Sequence, residues 1–199
     1  MIKVLNIFAS LNGHTEKIHR EIGRACSGLD CTVASLNVGT GDQPISLLEP
    51  DVIFIGSGVY TWLPGKGMLK WIDRQLKHAR EEGLILPGSP RLCGKFACVY
   101  CTYGGPHTGE AEAVPALKYM GQLFDHLGIA VAAEWAIPGA FVPEKMRFMN
   151  ERGRLGDIRD RPNSHDLRAV HERTIGLIES LRPTIALARS QGVARCGDG

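Results

Sequence analysis

Two hydrophobic periods take turns along this chain. Short apolar runs alternate with segments whose apolar residues recur every three to four positions, the pattern of strands buried on both faces interleaved with amphipathic helices. Ile2 to Phe8 reads as a first strand and Thr15 to about Ser27 as the helix after it. Cys31 to Asn37 reads as a second strand running into the turn-rich Gly39-Thr40-Gly41-Asp42. Asp51 to Ser57 is almost wholly apolar, as a central strand should be, and the next helix carries Met68, Trp71, Ile72 and Leu76 on one stripe. Phe96 to Cys101 is a fourth strand. The helix beyond it presents Val114, Leu117, Phe124 and Leu127, with Pro115 tolerable only in its first turn. Val131 to Ile137 is a fifth strand.

The segment 138–162 lacks a clean period and is expected to be an irregular crossing with one short helical turn. Asn163 with Asp166 then has the form of a helix start, and Leu167, Val170, Ile175, Ile178 and Leu181 give a closing amphipathic helix. No repeat or linker divides the chain. The expectation is one α/β domain over residues 1–190, with 191–199 as a flexible polar tail. Its sheet would be doubly wound, parallel and five-stranded in the order 2-1-3-4-5, with helices on both faces. That order puts a switch point between strands one and three, so ligands belong beyond the carboxyl ends there.

The residues after strands one, three and four fit that rule. Ser10-Leu11-Asn12-Gly13-His14-Thr15 joins a strand to a helix through small and hydroxyl-bearing residues. A helix N-terminus carries about half a positive charge, Ser10, Asn12 and Thr15 can donate hydrogen bonds, and Gly13 allows a tight turn, so the segment suits a phosphate. The competing reading is an ordinary turn with Asn12 as N-cap. The second loop, Gly56 to Gly67, combines small residues with Tyr60 and Trp62, and the third, Cys101 to Gly109, is glycine-rich and carries Tyr103. Aromatics beside exposed backbone suit a flat conjugated ring; the alternative is that they pin the loops to the core.

Composition narrows the classes. With 23 basic and 21 acidic residues the net charge is +2, so no bulk field recruits nucleic acid. The densest basic stretch, Arg147 to Arg161, is interrupted by Glu151, Asp157 and Asp160. No apolar run reaches membrane-spanning length and no leader pattern precedes the first strand. The six cysteines fall mostly in apolar segments, which fits free thiols in a reducing cytoplasm.

The motifs resemble the flavodoxin superfamily from Met1 to about Leu181. SLNGHT followed by Glu16 is similar to the flavodoxin phosphate loop T/S-x-T-G-x-T, with Asn12 at the middle hydroxyl position and His14 where Asn is common. GSGVYTWLPGKGMLKWID resembles the FMN-dependent NAD(P)H reductase branch, with Gly58 where that branch often has Pro, and CTYGG matches the third flavin loop loosely. The resemblance implies a flavodoxin-like fold and non-covalent FMN. It places Ser10, Asn12, Gly13, His14 and Thr15 at the phosphate, Val59, Tyr60, Thr61 and Trp62 along one side of the isoalloxazine, and Thr102, Tyr103, Gly104 and Gly105 at its other edge. No side chain need be catalytic, because the flavin carries the chemistry.

Other constellations are weaker. Cys93, Cys98 and Cys101 have the C-x₄-C-x₂-C spacing of an iron–sulfur loop, but strand alternation sends Cys98 and Cys101 to opposite faces, leaving Cys101 of interest only beside the flavin. His165 and His171 would not share a helix face, and no zinc pattern, hydrolase elbow or Gly-Lys-Ser/Thr phosphate loop occurs. Three functions remain open. The first is an NAD(P)H-dependent oxidoreductase acting on a quinone or other small acceptor, with subunits that pair. The second is an electron carrier between redox proteins, which the near-neutral charge disfavours. The third is a flavin-free interaction or regulatory module with the same fold.

Overall fold

The computed structural model describes residues 1–39 and 45–192. The Thr40-Gly41-Asp42 part of the expected turn, and the expected tail beyond Gly192, lie outside the described residues. In chain order the strands are β1 (Ile2–Ala9), β2 (Cys31–Asn37), β3 (Val52–Tyr60), β4 (Leu63–Pro64), β5 (Phe96–Tyr103) and β6 (Ala130–Pro138). The helices are α1 (His14–Ser27), α2 (Lys66–Glu81), α3 (Val114–Leu127), α4 (Met149–Arg152) and α5 (Ser164–Gln191). Five strands pair in parallel in the order β2-β1-β3-β5-β6, the 2-1-3-4-5 order read from the sequence. The short β4 is an addition that pairs antiparallel with the end of β3.

Alternation along the strands builds two apolar layers. Ile2 and Val4 of β1, Val52 and Phe54 of β3, and Cys98 and Tyr100 of β5 meet Ile18 and Ile22 of α1 and Val170 and Ile178 of α5. Leu5, Ile7, Ile53, Ile55, Ala97 and Val99 point the other way and meet α2 and α3 through Met68, Trp71, Ile72, Leu117 and Phe124. Gly56 is required by packing: a Cβ there would lie 2.0 Å from the ring of Tyr100, its partner on β5.

Several expectations need correction. β3 runs to Tyr60 rather than Ser57, because the antiparallel β4 continues its pairing beyond the parallel sheet. On α3, Val114 is exposed, and Ala116, Leu117, Met120, Leu123 and Phe124 form the buried stripe. The crossing after β6 holds two turns, Glu144–Met146 and α4, instead of one. The last helix continues past Leu181 and through Pro183 to Gln191. Tertiary contacts outweigh the proline there: Ile185 is buried, and Arg189 bonds the Asp51 carboxylate at 2.5 Å. That nearly buried carboxylate also accepts the Lys3 N–H at 2.7 Å, which ties the last turns of α5 to the base of the sheet.

Cys98 and Cys101 face opposite layers, as alternation requires. Cys26, Cys31, Cys98 and Cys101 are free thiols, but Cys93 is disulfide-bonded, so the expectation of free thiols throughout does not hold for it. Among the described residues, no helix is long and apolar enough to cross a membrane.

Candidate functional site

Of the four described helices of 14 residues or more, only α5 starts with a side-chain cap; α1, α2 and α3 start without one. α5 is closed by a full capping box: Asn163 Oδ1 accepts the N–H groups of His165 and Asp166, and Asp166 accepts the Asn163 N–H at 2.9 Å. α1 has nothing comparable. Its N-cap is Gly13, at φ 80°, with no side-chain cap, so the expected alternative of Asn12 as N-cap is not realised. The first helical bond runs from Lys17 N–H to the Gly13 carbonyl, which leaves the N–H groups of His14, Thr15 and Glu16 uncapped at the positive end of the dipole. Ser10 Oγ accepts the Gly13 N–H at 3.1 Å, bending the loop back while keeping the Ser10 hydroxyl hydrogen for another acceptor.

Ser10, Asn12, His14 and Thr15 border a cleft of about 430 Å³ at the carboxyl ends of β1, β3, β5 and β6. That volume lies within the roughly 300–1,000 Å³ range of small-molecule sites. Every residue expected at the site lines it except Gly13, whose role is to set the turn.

The second wall is a hairpin. Tyr60 pairs with Leu63 across Thr61 and Trp62, both at positive φ (50° and 64°), as a two-residue primed turn demands. Asn and Gly are the usual occupants, and Thr and Trp hold this geometry at a cost of about 1–2 kcal/mol each. Buried Ser57 secures the hairpin base: its Oγ accepts the Gly65 N–H and donates to the Gly58 carbonyl, both at 3.0 Å. Trp62 remains 57% exposed and Tyr60 38%, so both rings are available at the cleft mouth. Tyr103 differs. It is 4% exposed within the α2/α3 layer, with its hydroxyl pushed up to about 12 mainly by desolvation, so core pinning is the better description of that ring.

The first and third loops are joined. Thr15 Oγ1 and Thr102 Oγ1 lie 2.9 Å apart, and both side chains are nearly buried. The pair holds two hydroxyl hydrogens and consumes one, so one stays free for a ligand. Cys101, one residue earlier, is fully buried on the α2/α3 side, and burial pushes its thiol far above the ordinary range. It does not line the cleft, so the expected place beside a flavin is not realised.

A fourth wall had no clear signal in the sequence. Gly139, Ala140, Phe141, Pro143, Met146 and Met149, from the crossing after β6, close the cleft opposite the hairpin. The Phe141 ring packs on Gly104, where a Cβ would sit 2.3 Å from it. Buried Asn150 clasps Phe141 twice, accepting its N–H at 2.7 Å and donating to its carbonyl at 3.0 Å. The Arg154 N–H donates to the Pro106 carbonyl at 2.9 Å, tying the segment to the third loop. The signal that could have found this wall is its position, since it too follows a parallel strand at the carboxyl end. Gly58, Pro106, His107 and Glu112 complete the lining, with Glu112 Oε1 accepting the His107 and Thr108 N–H groups.

The chain has a flavodoxin-like fold. No protein-family model and no curated relative matches it. Among solved structures, an archaeal flavodoxin aligns at 16% identity over 91% of this chain and 99% of its own, with a TM-score of 0.59. Flavodoxin 1 from Bacillus cereus aligns at 15% identity over 89% and 97%, with a TM-score of 0.61. A flavone reductase aligns at 12% identity over 91% of this chain and 63% of its own, with a TM-score of 0.61.

Proposed function

We propose that the cleft binds FMN and that the protein is an NAD(P)H-dependent oxidoreductase acting on a small, flat acceptor such as a quinone. One observation carries the reading: α1 opens, without a side-chain cap, onto a cleft walled by a glycine loop and an aromatic hairpin. Uncapped N–H groups at a helix start suit a phosphate, and the walls beyond suit a flat ring.

Bound there, FMN would supply hydride and electron transfer between donor and acceptor. The protein's part is to bind, orient and exclude water. Ser10, Asn12 and the N–H groups of His14, Thr15 and Glu16 would hold the phosphate, with the spare hydroxyl hydrogen of the Thr15–Thr102 pair behind them. Val59 to Trp62 would line one side of the ring system and Thr102 to Gly105 its other edge. Phe141, Pro143, Met146 and Met149 form an apolar wall that favours an uncharged acceptor over a charged one. The near-neutral charge gives no field for steering a charged protein partner, which supports a small acceptor over a redox protein.

The test is anaerobic mixing of FMN-loaded protein with NADPH or NADH. Bleaching of the flavin absorbance in one two-electron phase, without a long-wavelength band, followed by recovery on adding a soluble quinone, supports the oxidoreductase. If neither nucleotide reduces the protein while stepwise dithionite produces a strong long-wavelength band, it is an electron carrier.

A further inference from the structure

His14 is the first residue of α1, and its ring is held against the chain leaving β6. Its Nε2 lies 3.0 Å from the Ala140 carbonyl oxygen. A carbonyl can only accept, so the ring proton sits on Nε2. The ring edge also packs on Gly139, whose Cβ would come within 3.5 Å of it. Nδ1 is left buried, with no hydrogen-bond partner among the described residues. His14 opens α1 and lines the cleft with Ser10, Asn12 and Thr15, so in the neutral ring Nδ1 is a bare lone pair whose field would oppose a phosphate held at that helix start. With a proton it becomes a charged donor, and charge-assisted bonds are about twice as strong as neutral ones.

We propose that His14 is a proton-coupled phosphate clamp: the phosphate of the flavin binds together with one proton, which enters at Nδ1. The inference rests on the FMN reading and concerns how that site selects a phosphorylated ligand.

The surroundings favour uptake at binding rather than before it. Desolvation, opposed by the Ala140 carbonyl and assisted by Lys17 one turn along α1, holds the imidazole below 6.5. From the chain leaving β6 the ring meets Gly139 and Ala140, neither of which titrates. The other titratable side chains lining the cleft are Tyr60, Tyr103, His107 and Glu112. Burial raises both tyrosines, so neither exchanges a proton near neutrality. A dianionic phosphate supplies the opposite charge that raises His14 once bound.

The experiment measures FMN and riboflavin affinity by flavin fluorescence between about pH 6.5 and about pH 8.5. Over that range a phosphate monoester, with its second ionisation near 6, is mainly dianionic. FMN affinity should fall as pH rises, by up to about tenfold per pH unit between the free and bound ionisations of His14. Riboflavin, lacking the phosphate, should show no such slope. Calorimetry in two buffers of different ionisation enthalpy should report proton uptake with FMN. His14→Asn, an amide donor that does not titrate, should abolish both the slope and the uptake. FMN binding without slope or uptake in the unsubstituted protein overturns the clamp and leaves the cofactor reading intact. A slope that survives His14→Asn and disappears in His107→Gln also overturns it, assigning the proton to His107. Failure to bind FMN at any pH overturns both readings together.

Discussion

The Thr15–Thr102 hydroxyl pair can be dissected by substitution to valine, which keeps the side-chain shape and removes the oxygen. The two oxygens are 2.9 Å apart, with Thr15 2% and Thr102 6% exposed, so removing one leaves the other short of its partner in a nearly dry place. An orphaned buried polar group costs about 1–3 kcal/mol, whereas removing both partners for groups of the same shape is close to neutral. Thr15→Val and Thr102→Val should therefore each lower the stability of the flavin-free protein by about 1–3 kcal/mol. The double substitution should cost no more than one of them, a coupling well above the roughly 0.3–0.5 kcal/mol scatter of independent sites. Urea unfolding with an unchanged denaturant slope measures this. Ligand binding should separate the two positions. Thr15 adjoins the open helix start, so Thr15→Val should weaken FMN about ten- to hundredfold, the equivalent of roughly 1.5–3 kcal/mol for a bond to a charged oxygen. Thr15→Val should spare riboflavin, whereas Thr102→Val, at the expected edge of the ring, should change FMN and riboflavin affinity alike. Additive stability losses, or equal weakening of FMN and riboflavin by Thr15→Val, would refute the reasoning.

Other substitutions probe the walls and the pH dependence. Replacing Trp62 or Tyr60 by Ala should brighten bound FMN in fluorescence and raise its midpoint potential, since an electron-rich ring on the flavin quenches emission and opposes added negative charge; no change in either variant places the ring elsewhere. Asn150→Ala removes both bonds to Phe141 and should lower stability by about 1–3 kcal/mol. It should also raise KM for a quinone while FMN affinity holds, and a parallel loss of FMN affinity would mean the wall serves the cofactor instead. His14 and His19 are both held below 6.5, chiefly by desolvation, so the unfolded chain takes up protons first as pH falls. The flavin-free protein should keep its full stability above about pH 6.5 and lose it progressively below, which thermal melts across that range check.

The fold was largely legible because its strands are apolar on both faces and its helices carry clear stripes. Asn163 with Asp166 announced the α5 start through a local hydrogen-bond pattern that the chain itself encodes. Misreadings arose where long-range contacts decided the outcome. The stripe of the last helix is read only to Leu181, yet Ile185 and the Arg189–Asp51 pair hold the helix beyond it, and no local pattern reports an ion pair 138 residues apart. β3 ran past Ser57 because of a hairpin whose turn, Thr61-Trp62, lacks the Asn or Gly that normally marks one. The three loops of the site could be read because small, hydroxyl and aromatic residues cluster after parallel strands. The fourth wall could not, since Phe141, Met146 and Met149 have no shared period and are brought together by Asn150 and by packing on Gly104. His14 was readable as a polar residue at the helix start, but not its bond to Ala140, which lies 126 positions away.

The most direct test of the central claim, that the uncapped start of α1 captures the phosphate of FMN, is a side-by-side fluorescence titration of the flavin-free protein with FMN and riboflavin. The account predicts saturation at one FMN per chain, strong quenching, and riboflavin bound at least about tenfold more weakly, because it lacks the charged group those N–H donors await. Absence of FMN binding, or equal affinity for the two flavins, would contradict it.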